Sequence, residues 1–322
     1  MLTFKGLHPH VLDQLKACGL GPQSTLIIGL SGGPDSVALL HLLQRCQRTL
    51  GYQIIAAHLD HEWRTNSQAD ATFCQELTQK WGVTIVVMKA SELTIQPKIN
   101  GSKEALGRAL RQQFFQEIAQ KYTAPKIILG HHLNDQLETF LIRLIRGSSL
   151  SGLGGMQSVS GMYLRPLLQI TKAQILSYLT EHNLEYVIDP TNYSDLFLRN
   201  RIRKVIPNLQ AIDHRLEQNF NRTLTQIQQA NQFIARQTKI ALEQVSLNSQ
   251  INLNLFFALD PFLQNQVLLA WLYQHKVQFT PSESLVTEIF KFLNSHQGGS
   301  HQIHPTWSLE KKQQQVAIYK KA

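Results

Sequence analysis

The amino-acid sequence predicts an α/β protein: a parallel sheet with helices on both faces, followed by a smaller, mainly α second domain with a little β. Two observations lead to this prediction. Short, continuously apolar runs alternate with helical patterns through the first half, which is typical of parallel strands buried between helices. From about Asp213 that alternation ends. The length of 322 residues also suits two domains, which we expect over 1–212 and 213–322.

The first domain is predicted to contain four strands, from apolar runs at 25–30, 54–59, 84–88 and 126–129. Helical patterns lie near 37–48, 67–81, 103–122 and 135–146. Ligands of such sheets bind beyond the carboxyl ends of the strands. We therefore expect the segments after the first, second and fourth strands to share one crevice. The glycine-rich stretch 147–155 is interpreted as a mobile active-site loop rather than a linker.

The second domain is predicted from a change of pattern. A long polar helix is expected over 213–245, and apolar-periodic segments follow at 254–275 and 283–294. The end of the chain, from His301 to Tyr319, alternates like a hairpin. This part is therefore interpreted as mainly α with a little β.

Composition narrows the class of protein. The net charge of +9 and the pI of about 9.5 are compatible with a polyanionic partner. Three cysteines without a Cys-x-x-Cys pair argue against a disulfide scaffold, a structural zinc site and cysteine-borne sulfur chemistry. The N-terminus lacks an apolar core of signal-peptide length, and no run approaches the length that spans a membrane. We expect a cytoplasmic protein with no membrane partner.

The most informative motif is Ser-Gly-Gly-Pro-Asp-Ser at 31–36, between an apolar strand and a helix. Such a junction points backbone N–H groups and the positive end of a helix dipole at one spot, which suits phosphate. The glycines permit close approach, the serines add hydroxyl donors, and the proline has no N–H to lose where a helix starts. An ordinary glycine-rich turn is the alternative. Nucleotide binding is expected at all six residues: Ser31, Gly32, Gly33, Pro34, Asp35 and Ser36.

Asp35 stands where a Walker A loop has its lysine. An acid beside phosphate is repulsive unless a cation lies between them, so Asp35 predicts Mg²⁺. The second strand ends in His58-Leu-Asp-His61, next to the expected place of adenine and ribose, which makes His58 a candidate nucleotide contact. A zinc site combining these histidines with the pair at 131–132 is the disfavoured alternative, since no cysteine or helix-spaced partner accompanies them.

Two helices carry further candidates. Glu104, Arg108 and Arg111 share a helix face, which taken alone indicates a solvated face with one ion pair. Asp135 and Glu138 present two carboxylates at the start of the next helix, with Asn134 as the expected N-cap. Paired acids near a phosphate loop suit Mg²⁺ or a substrate ammonium. Favourable charge placement in the first helical turn is the alternative, but it does not explain the two histidines before them.

Four basic residues close this part of the chain: Arg199, Arg201, Arg203 and Lys204. Such a patch suits the phosphate backbone of a nucleic acid. A solvated helix end whose cations offset the helix dipole explains the same residues equally well, and both readings stay open.

Together these motifs resemble the tRNA(Ile)-lysidine synthetases of the PP-loop, or N-type ATP pyrophosphatase, superfamily. The first motif marks the superfamily, and the last three single out the lysidine enzymes. The matching segments, in order from about 25 to 208, are Ser31-Gly-Gly-Pro-Asp-Ser36, His58-Leu-Asp-His61 to Arg64, Glu104-Ala105-x-x-Arg108-x-x-Arg111, His131-His132-x-x-Asp135-x-x-Glu138-Thr139, Arg146-Gly147 with its glycine-rich loop, Leu164-Arg165-Pro166-Leu167-Leu168, and Asp189-x-x-Asn192 with Arg199-Asn200-x-x-Arg203.

The sequence departs from this family in two respects. Members often carry two adjacent acids where this chain has Asn134-Asp135, so Mg²⁺ binding would be weaker or differently composed if the missing carboxylate is a ligand. We also expect the protein to be without the extra C-terminal domain of longer members. We therefore expect its tRNA-binding surface to be smaller.

The resemblance implies a reaction. L-Lysine is joined to C2 of the cytosine at the first anticodon position of a tRNA(Ile) with a CAU anticodon, forming lysidine. ATP is converted to AMP and pyrophosphate through an adenylated tRNA, with Mg²⁺ as cofactor. The change moves codon reading from AUG to AUA and tRNA identity from Met to Ile.

The resemblance also implies residue roles. His131, Asp135 and Glu138 would hold the substrate lysine or a metal. Arg111 would lie near the reacting phosphate or cytosine, and Asp35 would bind Mg²⁺. The 31–36 loop and His58 would bind ATP. The second domain and the patch at 199–204 would bind tRNA. A homodimer stays open.

Three rival functions remain. A tRNA thiolase of the same superfamily usually needs reactive cysteines or a cluster, and no suitable pair is present. A glutamine-dependent amidating synthetase needs a glutaminase domain, which is not evident. A nucleotide-sensing RNA-binding protein without catalysis would not need Asp35, Arg111, Asp135 and Glu138 together.

Overall fold

The structure is a computed structural model and describes residues 6–63, 67–94, 103–188, 198–277 and 282–320. Arg64, Asp189 and Asn192 of the sequence motifs lie outside the described residues, as does the side chain of Glu104. No helix within the described ranges is both long enough and apolar enough to cross a membrane. The chain divides into two compact units, 1–225 and 226–322. The functional boundary expected at residue 212 stays a prediction.

The first unit has the predicted α/β architecture. Its strands are β1 (Thr25–Gly29), β2 (Gln53–Asp60), β3 (Thr84–Lys89), β4 (Lys126–Ile128), β5 (Val159–Ser160) and β6 (Tyr163–Leu164). Its helices are α1 (Leu7–Ala17), α2 (Pro34–Leu50), α3 (Ser67–Lys80), α4 (Lys103–Lys121), α5 (Leu133–Ile145), α6 (Leu150–Leu153), α7 (Lys172–Glu181) and α8 (Leu198–Ile212). The long polar helix α9 (Leu216–Val245) begins in this unit and ends in the second.

The strands form one sheet in the order β3-β2-β1-β4-β6-β5, parallel except for β5. Side chains of a strand alternate between the two faces. Leu26 and Ile28 are therefore buried in one core with residues of α1, α2, α3 and α7. Ile27 is buried in a second core on the opposite face, with residues of α4. This arrangement confirms the predicted sheet with helices on both faces.

The strand order places the ends of β1 and β4 side by side. After β1 the chain moves outward through β2 and β3, and then returns to the other side of β1 as β4. Such a reversal is the topological switch point at which sheets of this class bind ligands. The loop 31–36 follows β1, and the segment 130–132 follows β4. These two segments are in contact, since His132 Nε2 lies 3.6 Å from Asp35 Oδ1. The expectation that they line one crevice stays a prediction.

The glycine-rich stretch 147–155 begins at the end of α5. Gly147 has a φ of 73°, and Ser148 N–H donates to the carbonyl of Arg143 (3.0 Å), a common way to end a helix. The side chain of Gln136 then holds the far end of the stretch, since it donates to and accepts from the backbone of Met156 (2.8 and 2.7 Å). The mobility expected for this stretch stays a prediction.

The second unit combines helices with an antiparallel sheet. The sheet has the order β7-β8-β11-β10-β9. Its strands are β7 (Ser246–Leu247), β8 (Gln250–Asn252), β9 (Gly299–His304), β10 (Trp307–Lys312) and β11 (Gln315–Lys320), and its helices are α10 (Leu253–Phe257), α11 (Pro261–Gln274) and α12 (Glu283–Asn294). The predicted terminal hairpin is thus part of a larger sheet. The segment predicted over 254–275 is two helices, because Asp260 caps a new helix at Phe262 N–H (2.8 Å).

Gly130 gives the first testable prediction. A Cβ at this position would lie 3.2 Å from both the carbonyl carbon and oxygen of Asp35, and 3.4 Å from the nitrogen of Ser36. Backbone atoms cannot rotate away as a flexible side chain does. We expect Gly130→Ala to shift the first turn of α2 and to lower the free energy of unfolding by about 1–3 kcal/mol.

Chemical denaturation measures that difference. Gly21→Ala is the matched control, because its nearest neighbour is an ordinary contact at 4.0 Å, the carbonyl oxygen of Leu50. Equal stability of the two variants would contradict the close approach of the two segments.

Candidate active site

The 31–36 loop connects β1 to α2, and hydrogen bonds of its serine hydroxyls hold its backbone. Ser36 Oγ donates to the carbonyl of Gly33 (2.9 Å) and accepts from Ser31 N–H (3.2 Å). Gly32 has a φ of 79°, a conformation that favours glycine. The helix α2 begins at Pro34, three residues before the pattern expected near 37–48, and a proline suits this first position because it has no N–H to lose. The serine hydroxyls therefore shape the loop, and their predicted contact with phosphate stays a prediction.

His58 contacts the backbone directly before this loop. It is buried in β2, and its Nδ1 is 2.9 Å from the carbonyl oxygen of Leu30. A carbonyl only accepts, so Nδ1 carries the proton. The Sγ of Cys74 lies 3.4 Å from the same nitrogen. His58 thus supports the backbone directly before the loop, and its contact with a nucleotide stays a prediction.

Asp35 is bound by a lysine that the sequence analysis missed. The Nζ of Lys172 lies 2.6 Å from Asp35 Oδ1, and His132 Nε2 is 3.6 Å from the same oxygen. Lys172 is the first residue of α7, where the helix dipole disfavours a cation. The preceding residue, Thr171, caps the helix by accepting from Gln174 N–H (3.2 Å). The sequence did contain a sign of this contact. A lysine directly after a capping residue lies at the positive end of the helix dipole, so an acid from elsewhere in the fold is needed to stabilise its charge.

The prediction that Asn134 caps α5 is wrong. The helix begins at Leu133, and the N-cap is His132, whose N–H donates to the carboxylate of Asp135 (2.9 Å). Asp135, the third helical residue, accepts from the N–H of the N-cap residue, which is the acidic half of a capping box and places the helix start at His132. Asn134 is instead hydrogen-bonded to Lys172 N–H (2.9 Å) and to Glu217 (2.6 Å).

Asp135 lies against both predicted histidines. Its Oδ2 is 3.6 Å from Nε2 of His132. Burial acts to raise the pKa of Asp135, but His132, His131 and the hydrogen bond from the His132 backbone outweigh burial, and the pKa is below its usual value. The carboxylate is therefore ionised at neutral pH and can bind a cationic group.

His131 is a neutral side chain in a positive environment. Burial lowers its pKa to about 4; Asp135 opposes this shift, and three arginines add to it. The Nδ1 atoms of His131 and His132 are buried and have no hydrogen-bond partner in the described part of the chain. The three guanidinium groups that act on His131 belong to Arg165, Arg199 and Arg111. Positive charge around His131 suits an anionic group, and the role expected for Arg111 stays a prediction.

Glu138 is buried between two arginines of α8. Its side chain is 3% exposed. Arg199 Nε donates to Oε2 (3.0 Å), while Arg203 donates through Nε to Oε1 (2.7 Å) and through Nη2 to Oε2 (3.1 Å). A buried carboxylate needs such partners to remain charged. Arg199 and Arg203, which were expected to bind tRNA, are thus hydrogen-bonded to Glu138, which was expected to hold the substrate lysine or a metal. Arg201 and Lys204 are exposed.

An aromatic pair follows β2. The ring of His61 stacks on Trp63 with centroids 4.7 Å apart and planes 25° from parallel. Gly107 of α4 makes room for it, because a Cβ there would overlap the Cη2 of Trp63. The Nζ of Lys103 lies 4.9 Å from the Trp63 ring centroid, and the tryptophan is 39% exposed. An exposed stacked ring next to cations suits a nucleobase, and the sequence analysis missed it.

The residues fit a magnesium ion that is held mainly by substrate. Among the described residues, no group of three His, Cys, Asp or Glu side chains could hold a metal ion. Mg²⁺ needs only one or two carboxylates when phosphates and water supply the other oxygens. Asp35 can supply one such carboxylate oxygen, while its Oδ1 binds the ammonium of Lys172. The amide of Asn134 is hydrogen-bonded to Lys172 N–H and to Glu217, and the weaker or differently composed Mg²⁺ binding expected from Asn134 stays a prediction.

Known protein families and curated proteins with similar sequences show which family this chain belongs to. A family model described as the PP-loop domain matches residues 8–209. Curated proteins named tRNA(Ile)-lysidine synthase are similar to this chain over most of its length, which confirms the predicted resemblance. The protein of Bacillus subtilis (strain 168) is 34% identical over 291 residues, covering 86% of this chain and 60% of that protein. The protein of Bacillus thuringiensis subsp. konkukian is 30% identical over 292 residues, covering 86% and 61%.

The chain thus spans about 60% of the length of these relatives. A solved structure with a similar fold is described as U34-tRNA thiolase NcsA from Methanococcus maripaludis with its 4Fe-4S cluster. It has a TM-score of 0.60 and 17% identity, and covers 69% of this chain and 78% of that chain. At this identity the likeness concerns the fold alone.

The buried His131 predicts a pH dependence of stability. The pKa of His131 falls from 6.5 to about 4 on folding, so the unfolded chain takes up a proton first as the pH falls. Stability present above pH 6.5 is therefore lost between pH 6.5 and 4, by about 1–3 kcal/mol for this group. Denaturant unfolding across that range should show a smaller loss for His131→Asn.

The control is His214→Asn, whose native side chain is 91% exposed. It should lose as much stability as the unmodified protein over the same range. An unchanged pH slope in His131→Asn would show that His131 is charged in the folded state.

Proposed function

We propose that this chain, which belongs to the PP-loop domain family, is an ATP-dependent tRNA(Ile)-lysidine synthetase. The substrates are L-lysine and a tRNA(Ile) with a CAU anticodon, and the acceptor is C2 of the cytosine at the first anticodon position. One observation carries the proposal. The 31–36 loop meets the start of α5 at the switch point of the sheet, where His132 Nε2 lies 3.6 Å from both Asp35 Oδ1 and Asp135 Oδ2, in a chain similar to named lysidine synthases.

In the first step the cytosine O2 attacks the α-phosphorus of ATP, and the bond to the β-phosphate oxygen breaks. The N–H groups of the 31–36 loop and the N-terminus of α2 hold the departing pyrophosphate. The ammonium of Lys172, which binds Asp35 in this loop, offsets part of the charge of the pyrophosphate. Mg²⁺, when held by Asp35 and phosphate oxygens, supplies further neutralisation of phosphate charge.

In the second step the lysine amine attacks C2, and the adenylated oxygen leaves as part of AMP. An amine with an ordinary pKa of about 10.4 must lose its proton before it attacks. Asp135, ionised beside the crevice, binds the other ammonium of the substrate. His131 is neutral and therefore does not repel that cation.

In this proposal, Glu138 and its two arginines exchange their partners when the substrates bind. Arg199 or Arg203 moves onto a phosphate of ATP or tRNA, and the carboxylate oxygen that it leaves binds the substrate lysine. Arg201, Lys204 and the region from 213 onward bind the tRNA outside the reaction centre. The exposed stack of Trp63 on His61 is a platform for a nucleobase.

Sulfur transfer is the less favoured function. Burial raises the pKa of Cys46 to about 11 and that of Cys74 to about 12, so both thiols are protonated at neutral pH. The remaining cysteine, Cys18, has no second cysteine to act with. These properties distinguish the chain from an enzyme that uses thiolates or a cysteine-bound cluster.

Incorporation of radiolabelled lysine into tRNA tests the proposal. The full chain, ATP and Mg²⁺ are incubated with a CAU-anticodon tRNA(Ile) transcript and, separately, with a CAU-anticodon tRNA(Met) transcript. We expect incorporation into the first alone, with AMP as product. AMP formation with another acceptor and no incorporation would contradict the proposed substrate.

Asp35→Asn separates an enzyme from a nucleotide-sensing RNA-binding protein. Loss of the carboxylate removes the proposed Mg²⁺ ligand and the partner of Lys172, and we expect turnover to fall by about 10²–10³-fold while tRNA affinity is kept. The control is Asp13→Asn, because Asp13 is an exposed residue of α1 with no role in the proposed site. Equal turnover of the two variants would contradict the role of Asp35.

A further inference from the structure

Asn134 links the beginnings of three helices. It is the second residue of α5, and its Oδ1 accepts from the backbone N–H of Lys172, the first residue of α7 (2.9 Å). Its Nδ2 donates to Oε1 of Glu217, the second residue of α9 (2.6 Å). One amide therefore meets a donor on one helix and a carboxylate on another.

This pair of contacts determines the residue type. The N–H of Lys172 needs an acceptor, and the carboxylate of Glu217 needs a donor. An aspartate at this position could still accept from Lys172, but its second oxygen would face Glu217 as a like charge. Only an amide of this length meets both demands.

The contact fixes the backbone of the residue that reaches the phosphate loop. Lys172 N–H would otherwise be one of the unpaired donors of a helix start. From the same residue the ammonium extends to Asp35 Oδ1, 2.6 Å away. The direction in which Lys172 enters the site therefore depends on Asn134.

The junction between α5 and α7 does not depend on this side chain for its existence. Leu133 N–H donates to the carbonyl of Ile170 (2.8 Å), which joins the same two helix starts through the backbone. Ile170 is also fully buried. Loss of the Asn134 contact should therefore disturb the placement of Lys172 more than the stability of the fold.

We propose that Asn134 is a positioning residue for ATP binding: its amide holds the first turn of α7 so that Lys172 faces the phosphate loop, and Glu217 requires that residue 134 be an amide. The inference rests on the proposed function in one respect, namely that the loop binds ATP.

The test is a double-mutant cycle on the full chain. Asn134→Asp places a carboxylate against Glu217, and we expect the Kd for ATP in the presence of Mg²⁺ to rise about tenfold. Glu217→Gln in the same chain should restore most of the affinity, because the glutamine amide can donate to one oxygen of the introduced carboxylate while the other oxygen accepts from Lys172. Glu217→Gln alone completes the cycle.

The matched control is Asn219→Asp, the same change of charge two residues further along α9. Asn219 Oδ1 accepts from Arg222 (2.8 Å), which a carboxylate also does, so ATP affinity should not change. Thermal unfolding midpoints of all variants are measured alongside. A merely structural role of Asn134 would lower the midpoint without a specific loss of ATP affinity.

The outcomes separate this inference from the proposed function. ATP affinity that is lost in Asn134→Asp and restored in the double variant supports the inference, whether or not lysine is incorporated into tRNA. Unchanged ATP affinity in Asn134→Asp, or a loss that Glu217→Gln does not repair, would overturn it. Failure of lysine incorporation by the unmodified chain would overturn the proposed function alone.

Discussion

Charge neutralisation of two carboxylates by cations from distant helices holds the candidate active site together. Asp35 is paired with Lys172 of α7, and Glu138 with two arginines of α8. These partners lie far along the chain, so the contacts bind α7 and α8 to the starts of α2 and α5. A buried carboxylate such as Glu138 that loses its partners costs several kcal/mol, on the order of 3–5. The position of α8 therefore follows from electrostatics as well as from apolar packing.

In the proposed function, the same pairs let the site accept charged substrates. Asp35 and Glu138 each hold a cation that an incoming phosphate would also attract, and each released acid would then bind a cationic group. His131 stays out of this exchange, because burial keeps its pKa near 4 and its ring neutral. On that proposal the site offers cations to ATP and carboxylates to lysine without a large change in net charge.

Local features of the site could be predicted from the sequence, and contacts between distant segments could not. The strand-loop-helix around Pro34 and the acids at the start of α5 follow from short-range patterns, and the structure confirms that they meet at one edge of the sheet. Lys172 was missed because its partner lies 137 residues away. The expected cap at Asn134 failed because its amide is hydrogen-bonded to Lys172 and Glu217, which lie far along the chain. The i, i+4 spacing of Arg199 and Arg203 was a usable sign that they share one acid.

Exchange of labelled pyrophosphate into ATP is the most direct test of the central claim, that the loop at 31–36 serves to activate the tRNA base. In the proposed reaction, adenylation of cytosine O2 releases pyrophosphate before lysine reacts. The account predicts exchange that requires CAU-anticodon tRNA(Ile) and proceeds without lysine. Exchange that requires lysine and proceeds without tRNA would mean that the carboxylate of lysine is activated instead, and would contradict the account.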